Sequence, residues 1–220
     1  MRAIERASAA GLDPVVAITV SASSIAGLPE LLGWLLPRGL RFYLSFARDT
    51  SASALGLYRS DEERLIAGMR NAYAVIAEQL PTFSLVGNLL DRSNLGMAHE
   101  RACGAGDSYV VVGHDGQIAK CQMELAHAVG SVGALDPLKL IRLDPRGLNN
   151  KPVDQRNGCE SCEWRYWCAG GCPIETFHAT GRYDAPSPYC RVYLALFPEV
   201  VRLEGMRLLK YGLTPQQAVA

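Results

Sequence analysis

The chemistry this sequence can do rests on seven cysteines, all of them between Cys103 and Cys190 of a 220-residue chain. Their order is Cys103-x12-Gly116-x4-Cys121, a gap, Cys159-x2-Cys162-x5-Cys168-x3-Cys172, a second gap, and then Cys190. Thiolates are soft ligands that select zinc or iron–sulfur centres. A [4Fe–4S] cube takes its thiolates on four separate irons, so close spacings let one loop wrap several corners while distant segments supply the others. A Cys-x2-Cys step with further cysteines also suits a zinc site of four thiolates. Seven ligands, however, fill neither one such site nor two. Simple buried thiols remain a third reading. A disulfide framework fits worst, because the count is odd and the stretch from Met1 to Leu12 lacks the basic-then-apolar pattern of an export signal. A cytoplasmic, reducing location is therefore expected. Gly170 and Gly171, beside Cys172, would let the backbone approach a centre closely and turn N–H groups toward sulfur. Trp164, Tyr166 and Trp167 could shield such a centre from water, or simply pack.

The elements that must position these thiols fall into two halves. Val15 to Val20 (VVAITV) is a continuous apolar, β-branched run, as in a strand buried on both faces. Leu28 to Leu36 reads as a helix, with Pro29 in its first turn and Gly39 just past its end. Arg41 to Phe46 (RFYLSF) is a second strand. Ser60-Asp61-Glu62-Glu63 has capping-box spacing, and Leu65, Met69, Tyr73, Ile76 and Leu80 repeat along one helix face. Alternation of strand and helix is the mark of a parallel α/β sheet or barrel. Two such units cannot close a barrel of about 200–250 residues, so this half reads as a piece of something larger, with Arg2 to Ala10 as a further helix of it. Past Asn88 the pattern changes to short strands, turns and cysteines. Tyr109 to Gly113 and Gln117 to Cys121 read as a hairpin turned at His114-Asp115-Gly116. Residues 144–158 read as loop. Arg191 to Tyr211 reads as helix, started or kinked at Pro198 and stopped at Gly212.

Composition removes some partners. Lys and Arg number 22 against 22 Asp and Glu, which leaves no basic surplus for a phosphate backbone. No apolar run approaches the roughly 20 residues that cross a bilayer. Neither nucleic acid nor membrane is an expected partner.

The seven cysteines and the hairpin Gly116 resemble the SPASM domain that follows the barrel of many radical S-adenosylmethionine enzymes. The stretches that carry the likeness to its maturases of peptides and proteins are Cys103-Gly104-Ala105-Gly106, Cys159 to Pro173 (CESCEWRYWCAGGCP) and Ser187-Pro188-Tyr189-Cys190. The first 80 residues are similar to the last two strands and helices of the barrel. The resemblance implies an α/β chain: a partial (βα) barrel fragment over residues 1–88, then a small α+β, loop-rich, SPASM-like iron–sulfur domain over 89–220. It implies two auxiliary [4Fe–4S] clusters that accept an electron or position substrate. The first would take Cys103, Cys121 and Cys172; the second would take Cys159, Cys162, Cys168 and Cys190. The first set lacks a fourth cysteine, so its cluster would keep an open iron or take another ligand, with His99, His114 and Asp107 as nearby candidates.

The resemblance also has gaps. The CxxxCxxC loop that binds and cleaves S-adenosylmethionine in this family has no counterpart, since no cysteine precedes Cys103. S-adenosylmethionine is therefore expected only in a complete parent enzyme, and this chain alone is expected to be inactive. Arg48, in Ala47-Arg48-Asp49 at the end of the second strand, lies where family members contact cofactor or substrate; it could bind a carboxylate bidentately, or be a surface arginine at a strand end. Sulfatase-maturing members carry an aspartate proton acceptor after the cysteine matching Cys121. Here it is Gln122, and an amide cannot serve as a general base. A peptide or protein substrate is thus expected, with sulfatases disfavoured; the missing barrel half or an electron-donor protein are further expected partners. The alternatives are a stand-alone iron–sulfur electron carrier or peptide-binding protein, and a zinc-stapled binding module. No residue is assigned a catalytic role, and His127 and His178 are given none.

Overall fold

The structure is a computed structural model that describes residues 2–48 and 61–212. The chain is α/β with two small sheets and divides into two compact units. Among the described residues, the first comprises 2–48, 61–97 and 191–212, and the second 98–190.

The first unit opens with helix α1 (Arg2–Ala9), none of whose residues is buried. Strands β1 (Val15–Val20) and β2 (Arg41–Phe46) pair in parallel, with Val15 opposite Arg41 and Val20 opposite Phe46. The crossover that a parallel pair requires is helix α2 (Leu28–Leu35), continued by a 3-10 turn at Leu36–Arg38. Gly39, at φ 65°, then turns the chain into β2. Helix α3 (Glu62–Glu78) is capped by Asp61, whose carboxylate accepts from the Arg64 N–H at 3.1 Å. The part of the capping box expected at Ser60 lies outside the described residues. The face Leu65, Met69, Tyr73 and Ile76 is buried as the periodicity predicts. At Gly68 the helix admits Ile25 so closely that a Cβ would come within 2.1 Å of its Cγ1.

The apolar run of β1 predicts a strand buried on both faces, yet burial alternates along it: Ile18 and Val20 are buried, while Val15 is 50% exposed. β2 alternates likewise. Period-2 side-chain geometry puts every second residue on one face, and among the described residues only one face of this pair is covered.

The second unit carries the hairpin, shorter than predicted. β3 (Val111–Val112) and β4 (Gln117–Ala119) are antiparallel, and β5 (Gly130–Ser131) adds a third strand that no periodicity announces. Asp115 holds the turn by accepting from the Gln117 N–H at 3.0 Å, and Gly116 supplies the φ of 77°. Helix α4 (Pro137–Leu143) is capped by Asp136, and α5 (Arg165–Cys168) and α6 (Pro173–Thr180) follow.

Helix α7 (Cys190–Tyr211) is a single helix that runs through Pro198 rather than starting there. Proline removes the bond to the carbonyl four residues earlier. That carbonyl belongs to Leu194, whose side chain is exposed, while Tyr193, Leu196, Phe197 and Val200 are buried and hold the helix together. Phe46, Tyr193 and Phe197 form a run of stacked rings, 5.9 Å apart at each step. Near its end the helix grips residues 80–85. Glu204 accepts from the Leu85 N–H at 2.9 Å and from the Ser84 hydroxyl at 3.2 Å. Arg207 donates to both Glu204 oxygens, at 3.0 and 2.7 Å, and to the Thr82 carbonyl at 2.8 Å. No helix among the described residues is long and apolar enough to cross a membrane.

Glu204 and Arg207 are both buried, so removing one partner leaves an uncompensated charge. Glu204→Ala is expected to cost about 3–5 kcal/mol in chemical denaturation, against well under about 1 kcal/mol for breaking the exposed pair of Arg191 with Glu63.

Candidate metal centre

All seven cysteines lie among the described residues and carry thiols, not disulfides. They gather in two sets within the second unit. Cys121 and Cys172 are buried together with Ala105, Leu148 and Ile174, and Cys103, Tyr109, Met123 and Tyr183 pack against them. Three distant segments meet there because polar side chains tie them. The buried Lys120 donates its ammonium to the carbonyls of Asp144, Arg146 and Leu148 at 2.6, 2.7 and 3.2 Å. Glu124 accepts from the Leu148 N–H at 3.0 Å. Asn150 donates to the carbonyls of Cys103 and Ala105 at 2.8 and 3.1 Å. The stretch 144–150, a loop in sequence, thereby brings the Cys103 segment and the hairpin to one place.

The second set is Cys159, Cys162, Cys168 and Cys190. Burial pushes the Cys159 thiol up to about 11, and the neighbouring charges of Cys190 and Cys162 push the same way. Burial pushes Cys168 up to about 12, with Cys159, Cys190 and Cys162 adding to it. Cys121 is raised by burial first and then by Cys172 and Cys103. Each of these three thiols thus has its cysteine neighbours within its own set. Backbone N–H groups work in the opposite sense: Gly170 donates to the Cys168 sulfur and Met123 to that of Cys121. Two further thiols stand at helix starts, Cys172 as the cap of α6 and Cys190 as the first residue of α7. Free N–H groups and the helix dipole favour negative charge at such positions.

The loop between Cys168 and Cys172 is wound entirely left-handed, with φ 47° at Ala169, 73° at Gly170 and 72° at Gly171. Consecutive N–H groups in such turns form anion-binding concavities. Gly170 turns its N–H to sulfur as expected, that of Cys168, because the left-handed turn folds back over the preceding residues; the Gly171 N–H likewise returns to the Cys168 carbonyl at 3.0 Å.

His99 is half-buried and its backbone N–H donates to the Tyr166 carbonyl at 2.8 Å. His114 is exposed on the hairpin turn, and Asp107 is exposed with its carbonyl accepting from Arg142 at 2.6 Å. Among the described residues, no three His, Cys, Asp or Glu side chains converge on a single ion position. Arg48 forms an ion pair with the buried Asp91 and donates to the Phe46 carbonyl at 3.3 Å. Trp164, Tyr166 and Trp167 are half-buried, and the Tyr166 hydroxyl donates to Asp154 at 3.0 Å.

Sequence reasoning missed Lys120, Asn150 and Arg156. Arg156 lies in the stretch read as loop, three residues before Cys159, yet its side chain is fully buried. The one usable signal was Gly170, whose missing Cβ makes room for it. A cavity of about 560 Å³ in the same unit is lined by Lys120, Glu124, His127, Arg146, Phe177 and Tyr183. The last two rings stack at 4.4 Å, and Tyr183 also packs on the first thiol set.

Comparison with known proteins places the fold. No protein-family profile matches the chain, and no curated protein matches it. Among solved structures, anSMEcpe, a radical SAM/SPASM anaerobic sulfatase-maturating enzyme, shares this fold over 93% of the chain. The form with bound AdoMet and the Cp18Cys peptide gives a TM-score of 0.66 at 15% identity. The form with bound AdoMet alone gives 0.68 at 14% identity. The chain spans 61% and 60% of the lengths of those two structures.

Two outcomes test this geometry. In the metal-free chain at pH 8, Cys159 and Cys168 are expected to alkylate more slowly than free cysteine. Their rates should climb only as pH nears about 11 and about 12, read residue by residue by mass spectrometry. Gly170→Ala should destabilise by about 1–3 kcal/mol, because φ is positive and the new methyl would lie 2.5 Å from Arg156 Cδ.

Proposed function

We propose that this chain is the C-terminal portion of a radical SAM/SPASM maturase: a barrel fragment followed by a SPASM-like domain whose cysteines hold two auxiliary [4Fe–4S] clusters. The observation that carries the proposal is the sorting of seven thiols into two sets whose members interleave in sequence. Cys172, of the first set, follows Cys168, of the second, and precedes Cys190, also of the second. A chance collection of buried thiols has no reason to sort in this way, whereas two centres stapling one loop require it.

The donor chemistry fits. Both sets are thiolate-only, which suits iron–sulfur clusters or zinc. A buried guanidinium nitrogen of Arg156 without a hydrogen-bond partner also fits an anionic group among the thiols. Such clusters, when bound, supply one-electron transfer or a place to hold substrate. The chain's own groups prepare for them: helix starts at Cys172 and Cys190, N–H donors to the sulfurs of Cys121 and Cys168, and the Lys120 and Asn150 ties that bring the segments together.

A peptide substrate is supported by the solved relative, whose structure holds a peptide, and by the cavity beside the first set, which offers both signs of charge and a stacked aromatic pair. The relative is a sulfatase-maturating enzyme. The amide of Gln122, whose oxygen lies 3.9 Å from the Cys121 sulfur, can take no proton in its place. A different peptide precursor is therefore the better substrate class. With no CxxxCxxC motif in its sequence, the chain should not by itself cleave S-adenosylmethionine.

Anaerobic reconstitution followed by iron and sulfide quantification tests the reading. About eight irons per chain are expected for two cubes. Cys103→Ala should abolish the centre of the first set and Cys190→Ala that of the second, each leaving about half the iron. Zinc with no iron, or loss of both centres together in each variant, would contradict the assignment.

A further inference from the structure

Arg156 is one of the largest side chains in the chain with no exposure at all. Burying a cation costs several kcal/mol unless an anion compensates it. Among the described residues, no carboxylate pairs with it. Its Nε donates to the Lys151 carbonyl at 3.3 Å and its Nη1 to the Gly170 carbonyl at 2.9 Å. Its Nη2 is buried with no partner. Two carbonyl dipoles and an open N–H pair do not balance a full charge.

The charges that act on it are those of thiols. Burial works against the guanidinium's charge, and the groups that favour it are Cys159, Cys168, Cys172 and Cys103, in falling order. Two of these belong to each set. The loop that joins the sets is shaped around it: at Gly170, between Cys168 and Cys172, a Cβ would lie 2.5 Å from Arg156 Cδ, 2.8 Å from Nη1 and 3.0 Å from Nε. The guanidinium thus packs closely against the short segment that leads from one set into the other.

We propose that Arg156 is the shared counter-charge of the two thiolate sets, a positioning residue that stabilises the anionic charge of both centres at once. The proposal rests on the reading that the thiols hold clusters. Thiolate-ligated clusters are anionic, and each electron accepted adds a negative charge. A fixed cation beside both centres makes that electron easier to accept, and so raises both potentials. It also resolves the energetic problem of Arg156, which has no other anion. Arginine suits the position because it stays charged and its planar fork addresses two sides.

The test compares the reconstituted chain with Arg156→Gln and Arg156→Lys, by iron content and by dithionite titration followed by electron paramagnetic resonance. In Arg156→Gln both centres should shift to more negative midpoints, and Arg156→Lys, which keeps the charge, should recover most of the shift. Full loading with unchanged midpoints overturns the proposal. So does a shift confined to one centre, since the charge is then not shared. Should Arg156→Gln load no iron, Arg156→Lys decides: restored loading supports the counter-charge, and continued loss assigns Arg156 to packing shape and overturns it. The two levels fail differently. A wild-type chain that takes up no iron removes the cluster reading and this inference with it, whereas a loaded wild type with indifferent variants removes this inference alone.

Discussion

The organisation of residues 98–190 depends on holding together seven thiols, three of them buried and four partly buried. That unit has three strands of two, three and two residues among its described residues. Hydrogen-bond ladders this short cannot fix its loops. What fixes them is a set of polar anchors around the sulfurs: the Lys120 ammonium on three carbonyls, the Asn150 amide on two, and the Arg156 guanidinium on the backbone of Gly170 and Lys151. Each anchor satisfies carbonyls that an irregular chain would otherwise bury unpaired. The thiols are the least comfortable members of this arrangement. Burial raises Cys121, Cys159 and Cys168 away from the thiolate form, and the N–H groups, helix starts and buried cation are the features that oppose it.

The first unit solves a different problem. Its parallel pair and two helices bury a conventional apolar core, and helix α7 closes it with aromatic rings and a buried Glu204–Arg207 pair. Arg48, read from sequence as either a cofactor or substrate contact or a surface arginine at a strand end, forms an ion pair with the buried Asp91. Burial raises the Asp91 carboxyl while Arg48 pulls it back down.

Much of this was legible where a pattern repeats. The β-branched run at 15–20, the aromatic run at 41–46 and the helical face of α3 appear at or near the predicted residues, because period and propensity act locally. The cysteine spacing marked where thiols would crowd, and Cys103, Cys121 and Cys172 do pack together in the structure. What escaped prediction depends on distant partners. Whether β1 is covered on both faces is not written in β1. β5 is two residues long and takes its identity from pairing with β4. Arg156 reads as a solvated loop residue, and only a neighbour fourteen positions away, a glycine that must lack a side chain, shows that it is buried. Likewise, Lys120 looks like an ordinary strand-end lysine until the loop at 144–148 closes over it.

The grip of α7 on residues 80–85 has a consequence for how the protein is made. Both halves of the first unit flank the second in the chain, so all seven cysteines leave the ribosome before Glu204 and Arg207 do. Until Glu204 and Arg207 are synthesised, the Leu85 N–H and the Thr82 carbonyl lack the partners they have in the finished fold. During that interval the thiols are already available while the first unit is still open. A chain cut before residue 204 would therefore lose the anchor of a segment more than a hundred residues upstream.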